Sequence, residues 1–335
     1  MIPLFDQRLI RVAIVVGSIV SLSGCYYTQA VRGQLDVMHK REPIDQVIAA
    51  SDTPSDLVER LQLVRDARQF SIDELLLPDN DSYRSYADIE RDYVVWNVFA
   101  APEFSLEPKH WCFPVAGCVN YRGYFSEAAA RREAAKLKDK GHDVAVGGVA
   151  AYSTLGKFRD PVLNTMMRWE DVDLIAVLFH ELAHQKLYVK GDTGFNESFA
   201  SAVEEIGVER WLNSRRIEDE FEAYRERREL RQQLMNLVAL ARTELEEIYS
   251  SSIGSDAMRS RKQARLKRLS DDLNRELDVS GRERPEWLSD GLNNARLASM
   301  TLYDARLPEF RKLLADCNDD LDCFYGAAKK LSEKP

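Results

Sequence analysis

Two histidines and a glutamate in the segment LIAVLFHELAHQK have the types and spacing that bind a metal ion and activate water. His180 and His184 are one helical turn apart, so both imidazoles project from one helix face and can share an ion. Such a pair is typical of zinc sites. Glu181 is then beside a water made acidic by the metal, and can act as general base. The alternative is two ordinary histidines of a core or a surface.

A catalytic zinc site needs a third protein ligand and one position open to water. The turn-forming segment KGDTG follows the motif, and a second helix then begins with Glu197 in its first turn. Because the turn lets this helix fold back antiparallel, Glu197 is expected to face the histidines; otherwise it is a surface charge at a helix N-terminus. Asp192 is a rival ligand, whereas Glu204 is better placed to orient a ligand. We predict one Zn²⁺ held by His180, His184 and Glu197.

The metal motif must lie on a buried helix, and its surroundings predict one. Apolar residues fill the predicted helix Asp171–Val189 ahead of the motif, which places the motif inside a domain. The second helix is predicted over Asn196–Asn213. Further predicted elements are helices within 31–77, strands Tyr93–Ala100, Tyr121–Phe125 and Val144–Tyr152, and a helix Ala128–Lys140 capped by Ser126. The predicted fold class is α+β, mainly helical with a small sheet.

Residues 214–280 are dense in arginine and glutamate but carry leucines at helical spacing on both sides of a break at Ser251–Ser255. A short break between two apolar stripes of similar length predicts a long, charged antiparallel helical hairpin inserted in the domain. The alternative is a coiled coil with a protein partner. Closing helices are expected around Pro285–Leu302 and Pro308–Leu314.

The N-terminal segment differs in character from the rest of the chain. Two arginines precede the apolar run Val12–Val20, which is too short to span a bilayer and predicts a signal peptide over residues 1–24. The sequence LSGC that ends at Cys25 resembles the lipobox of bacterial lipoproteins, which implies diacylation of that cysteine. We therefore expect residues 25–335 to be anchored by lipid and to face the periplasm. Tyr26, in place of an aspartate, favours the outer membrane.

The four remaining cysteines form two close pairs, and each pair encloses five residues. An even count in an oxidising compartment predicts disulfides, and both loops must then be turns. Zinc binding by these cysteines is the competing interpretation, but their spacing is not that of a zinc knuckle. The expected disulfide cysteines are Cys112, Cys118, Cys317 and Cys323.

Several long motifs resemble one bacterial family. They are HELAH, GDTGFNESFA and ERWL, with WCFPVAGCVNYRGYF from Trp111, AYSTLGKFRDPVL from Ala151 and NNARLASMTLYDARLPEF from Asn293. Over most of the mature chain they resemble the Putative aminopeptidase family of Gram-negative bacteria, predicted lipoproteins of the HExxH glutamate-zincin clan.

The resemblance implies a zincin-like metallopeptidase domain in which His180, His184 and Glu197 bind zinc and Glu181 is the base. Two features depart from the clan pattern. Only twelve residues separate His184 from Glu197, fewer than in the better-known glutamate zincins. Ser201 stands where an acidic residue often follows the third ligand. Both departures affect residues expected to orient the metal ligands, and not the ligands themselves.

Peptide hydrolysis also needs a donor for the developing oxyanion. Related zincins use a tyrosine or histidine outside the metal motif, so the candidates are Tyr303 and Tyr152, followed by Tyr188. Tyr303 is favoured because it lies in a distal motif of the family. The strand Val144–Tyr152 offers an edge on which an extended peptide could pair.

The charge of the chain excludes one class of partner. A net charge of −9 and a pI near 5.3 argue against nucleic acid, whose phosphates need a basic face. We expect a zinc peptidase with a peptide substrate, and the resemblance alone implies an aminopeptidase. A zinc endopeptidase or an amidase acting on cell-envelope peptides is equally compatible with the motif. The rival from another class is an envelope scaffold with structural zinc or a partner bound to the hairpin.

Overall fold

The computed structural model describes residues 26–113, 117–151, 153–300 and 306–333. Within these ranges the protein is α+β and mainly helical, with small sheets, as predicted. No helix of the described ranges has both the length and the apolar character needed to cross a bilayer. The predictions for Cys25, Tyr152 and Tyr303 concern positions outside the described residues.

Three helices and a small sheet form the N-terminal part of the main core. The helices, within the predicted region, are α1 (residues 26–39), α2 (Ile44–Ala49) and α3 (Ser55–Asp73). The sheet has the order β1-β2-β8, formed by β1 (Arg41–Pro43), β2 (Ser85–Ala87) and β8 (Val162–Leu163). A short 3₁₀ turn, Asn164–Met166, follows β8. Apolar residues of α3, such as Leu61 and Val64, are buried in the same core as the metal-motif helix.

An antiparallel sheet of order β6-β3-β7 lies beside this core. Its strands are β3 (Val95–Pro102), β6 (Arg122–Tyr124) and β7 (His142–Val149), close to the three predicted strands. Helix α4 (Glu127–Lys138) begins at Ser126, whose side chain accepts a hydrogen bond from the Ala129 amide as predicted. Alanines of α4 pack on one face of the sheet.

The predicted pair of site helices is present, with shifted ends. Helix α5 (Asp171–Lys186) stops before Val189 because Leu187 is already extended. Helix α6 (Thr193–Arg215) begins before Asn196 because the Asp192 side chain caps it, accepting from the Phe195 amide at 2.9 Å. The two helices pack closely at Gly207, where a Cβ would lie 2.6 Å from the Phe179 ring.

The charged segment forms the predicted hairpin within one chain. Its helices are α7 (Glu218–Ser250) and α8 (Ser255–Val279). Val238, Ala241 and Leu245 of α7 are buried in one cluster with Leu269 and Leu273 of α8. The leucine stripes therefore face each other.

The chain closes with four short helices, of which the last was not predicted. They are α9 (Glu286–Ser289), α10 (Asn294–Met300), α11 (Leu307–Asp316) and α12 (Leu321–Ser332). Both predicted disulfides are present. Cys112–Cys118 joins the paired strands β4 (Trp111–Phe113) and β5 (Gly117–Val119), and Cys317–Cys323 joins α11 to α12. Their sulfurs are consequently not free to bind zinc.

Candidate metal centre

The packing of α5 against α6 brings the three predicted ligands together. One donor atom each from His180, His184 and Glu197 lies within 4.8 Å of the others. Glu197 Oε2 is 3.4 Å from His180 Nε2, and Glu197 Oε1 is 3.7 Å from His184 Nε2. Both histidines are buried. Two imidazole nitrogens and one carboxylate oxygen that converge on one point match the donor set of a catalytic zinc site.

A side-chain clamp at the turn sets the position of Glu197. Asn196, which is buried, accepts a hydrogen bond from the Val189 amide at 2.7 Å and donates one to the Val189 carbonyl at 2.8 Å. These bonds tie the end of the loop after α5 to the start of α6, so Glu197 enters facing the histidines. Asp192, the rival ligand, instead caps α6 and lies 3.5 Å from Arg306.

Glu204 lies behind the first ligand, as the sequence suggested. Its Oε2 is 3.0 Å from Nδ1 of His180, the nitrogen that faces away from Glu197. A carboxylate in this position orients the imidazole and makes it a better metal ligand. Burial opposes ionisation of Glu204, but its hydrogen bond to His180 and the charge of His180, with smaller effects of Arg231 and Arg228 on α7, lower its pKa. The start of α7 thus adds positive charge to the group around His180.

The electrostatics of the cluster show that it favours a cation. Burial alone would lower the pKa of His180, but its bonds to Glu197 and Glu204 outweigh burial and raise that pKa to about 10. Burial and the charge on His180 lower the pKa of His184 to about 4. In the absence of metal, the proton on His180 thus supplies the positive charge that two buried carboxylates require.

Glu181 projects into the same group of charges. Burial is the largest cause that raises its pKa, to about 7, and the charges of Glu197, Asp160 and Glu204 act in the same direction. His180 opposes the shift. A carboxyl group with a pKa near neutrality can both accept and return a proton during a reaction.

Tyr121 is a residue of this site that the sequence did not reveal. It lies between β5 and β6, with its ring 5.8 Å from that of Phe99 on the central strand. Burial, with the charges of Glu197 and Glu181, raises the pKa of its phenol. The sequence predicts only a strand there, and no spacing rule connects Tyr121 to the distant HELAH motif. Its position three residues after Cys118, in a loop fixed by a disulfide, was the one available signal.

Tyr188, the third oxyanion candidate, is also near the ligands. It is 41% exposed, and burial with the charge of Glu197 raises its pKa. Tyr303 and Tyr152 remain predictions.

The comparison with protein families decides the relationship that the motifs suggested. A model described as Putative aminopeptidase matches residues 25–335. The chain belongs to this family. The matched region of the Putative aminopeptidase family model includes α5, α6, the hairpin and both disulfides. A search of curated proteins and a search of solved structures each found no match.

Binding of Zn²⁺ to the metal-free protein is expected to release the proton of His180, because zinc binds only the neutral imidazole. Since the pKa of His180 is about 10, zinc affinity should fall as pH is lowered from 9 to 6. Glu204→Gln should release fewer protons and bind zinc about 10- to 100-fold more weakly. Titration calorimetry in buffers of different ionisation enthalpy measures both quantities.

Glu205→Gln is the matched control, because Glu205 pairs with Arg311 at 2.8 Å and with Arg228, not with a histidine. Equal proton release and affinity in the two variants would contradict a role for Glu204 behind His180.

Proposed function

We propose that the protein is a zinc-dependent peptidase with a zincin-like domain, in which His180, His184 and Glu197 hold one Zn²⁺. The observation that carries the proposal is the convergence of these donors, with Glu181 on the adjoining position of α5. Membership of the Putative aminopeptidase family supports a peptide as the substrate. The aminopeptidase specificity rests on that family name alone.

Zinc in this position would polarise the scissile carbonyl and increase the acidity of the attacking water. Glu181 accepts the proton of that water and delivers it to the leaving amine. Burial raises the pKa of Glu181 to about 7 without a bound ion, and a cation at the centre would lower it, which favours the carboxylate form that accepts a proton. Glu204 keeps the His180 ring in the orientation that directs Nε2 towards the centre.

Tyr121 is the residue that we assign as donor to the developing oxyanion. Its phenol is close enough to Glu197 and Glu181 for their charges to raise its pKa, so it remains a protonated donor at neutral pH. A neutral hydroxyl group in a partly buried site can stabilise an oxyanion without prior reorganisation.

We also propose that Cys25 carries lipid and holds the body of the protein at the periplasmic face of the outer membrane. Tyr26, the first described residue, stacks on Phe113 of the hairpin β4–β5, which the Cys112–Cys118 disulfide closes, with ring centroids 5.5 Å apart. The guanidinium carbon of Arg122 lies 4.0 Å from the centre of the Tyr26 ring. The hairpin formed by β4 and β5 also lies close to the loop between α5 and α6. A Cβ atom added at Gly117 would lie 3.4 Å from the Lys190 side chain. A lipid at residue 25 would therefore keep the metal centre near the membrane surface.

Lipid attachment predicts that the expressed protein incorporates palmitate and partitions into detergent, because acyl chains dominate its membrane affinity. Cys25→Ser should lose both properties while the folded body remains intact. Metabolic labelling followed by phase separation tests this, and unchanged labelling of the variant would rule out Cys25 as the acylated residue.

Glu181→Gln is expected to lower kcat for peptide hydrolysis by at least about 10²-fold, because it removes the general base. Zinc content should remain at one ion per chain, since Glu181 is not a ligand. Cleavage of a mixed peptide library, followed by mass spectrometry, measures the loss and also reports whether the chain end or an internal bond is cut. Full turnover in the variant would refute the assignment, and no turnover in the parent protein would refute the peptidase proposal.

Tyr121→Phe is expected to reduce kcat by about 10²- to 10³-fold with little change in KM, because the lost hydrogen bond forms only in the transition state. Tyr188→Phe is the matched comparison, since that phenol is also near Glu197 but more exposed. Steady-state kinetics of both variants decide the assignment. A loss confined to Tyr188→Phe would transfer the role to that residue.

A further inference from the structure

A cavity separate from the metal ligands lies along the free edge of β7. Its volume is about 470 Å³, which is large enough for part of a peptide. Its walls come from β7, from the start of β3 with the residues just before it, from α4 and from the segment that contains α9 and the start of α10. The residues that matter for recognition are Tyr93, Trp96, Arg131, Trp287, Gly148 and Arg296.

Arg296 is a buried charge whose carboxylate partner among the described residues, Asp290, lies at the limit of ion-pair distance. It is only 8% exposed, and Nη2 donates one hydrogen bond, to the Val146 carbonyl at 3.2 Å. Its Nε is buried and has no partner among the described residues. The nearest carboxylate, that of Asp290, is 4.0 Å away and 64% exposed. Because a buried guanidinium is costly unless it is paired, this arrangement favours an anionic ligand.

The free edge of β7 beside Arg296 is partly occupied by side chains that bond to its carbonyls, and partly available to pair with another chain. The carbonyl of Val144 accepts from Asn293 at 3.1 Å, and that of Val146 accepts from Arg296. Alternate residues of a strand direct their backbone N–H and C=O groups to the same edge. After Val144 and Val146, the next residue whose backbone faces the free edge of β7 is therefore Gly148. Only glycine fits there, because a Cβ would lie 2.4 Å from the Tyr93 ring. All of 144–148 lines the cavity, but the edge available to an extended chain is thus restricted to the end of β7 at Gly148.

We propose that this cavity binds the free C-terminal carboxylate of an extended peptide. Arg296 pairs with the carboxylate, and Gly148 offers its backbone groups to the main chain of the peptide. The rings of Tyr93, Trp96 and Trp287 form the apolar wall for its last side chain. Arg131, which also lines the cavity, adds positive charge, although Glu127 at 2.6 Å partly offsets it. The choice of a peptide as ligand rests on the proposed function, whereas the need for an anion rests on Arg296.

Binding is tested with zinc-loaded Glu181→Gln protein, which does not consume the peptide. Two peptides of one sequence are compared, one with a free C-terminal carboxylate and one with a C-terminal amide. Because Trp96 and Trp287 line the cavity, tryptophan fluorescence reports occupancy. The carboxylate form is expected to bind at least about tenfold more tightly, the effect of one charge-assisted pair.

The preference should disappear in Arg296→Gln and persist in Arg284→Gln, because Arg284 is exposed and pairs with Asp278 at 2.9 Å. Arg296→Lys, which retains the charge, should preserve part of the preference if folding is intact. Equal affinity for the two peptides in the parent protein, or a preference that survives Arg296→Gln, would overturn the proposal. Acetate that binds as tightly as the peptide would overturn the peptide assignment.

These outcomes are independent of catalysis. A protein that prefers the carboxylate but hydrolyses no peptide would refute the proposed function and leave this site standing. A protein that hydrolyses peptides but shows no preference for the carboxylate would refute this site and leave the proposed function standing.

Discussion

The mutual compensation of charges buried between α5 and α6 is the constraint on which the rest of the structure depends. Glu197 and Glu204 place two carboxylates on opposite sides of the His180 ring, and Glu181 adds a third acid beside them. In a medium of low dielectric such a group is stable only with a cation at its centre. A proton on His180 can serve this purpose, and a divalent ion satisfies it more completely, which connects the stability of the helix pair to metal binding.

The surrounding elements keep this cluster in place. The Asn196 clamp fixes the start of α6, the close contact at Gly207 fixes its separation from α5, and Arg228 of the hairpin approaches Glu204. The hairpin that Cys112–Cys118 closes lies against the loop at Lys190 and is followed directly by Tyr121. The α7–α8 hairpin and the disulfide-closed hairpin thus each bring a charged or polar side chain near the three candidate ligands.

Local signals predicted the features that depend on local spacing. The one-turn spacing of His180 and His184 is set by helix geometry, so the ligand face of α5 followed from residue spacing alone. The glycine-rich turn also predicted that Glu197 lies opposite this face. The paired cysteines and the break at Ser251–Ser255 were predictable for the same reason. Helix ends were misplaced by about three residues where a cap, that of Asp192, or an extended residue, Leu187, decided the boundary.

Features that depend on tertiary contacts could not be predicted. Tyr121 lies near enough to Glu197 and Glu181 to feel their charges only because the tertiary fold carries its loop there, and its own sequence predicts a strand. The weakly paired guanidinium of Arg296, whose Nε has no partner among the described residues, is recognisable only when its burial beside β7 is known. Helix α12 was missed because its short sequence, LDCFYGAAKKLS, contains a glycine, which disfavours a helix.

X-ray absorption at the zinc edge of the metal-loaded protein tests the central claim most directly. Three protein ligands from two imidazoles and one carboxylate predict only nitrogen and oxygen neighbours at about 2.0–2.2 Å, with the multiple scattering of two histidines. His184→Ala should remove half of that histidine signal. Sulfur neighbours at about 2.3 Å, or a spectrum unchanged by His184→Ala and Glu197→Ala, would show that the metal binds elsewhere.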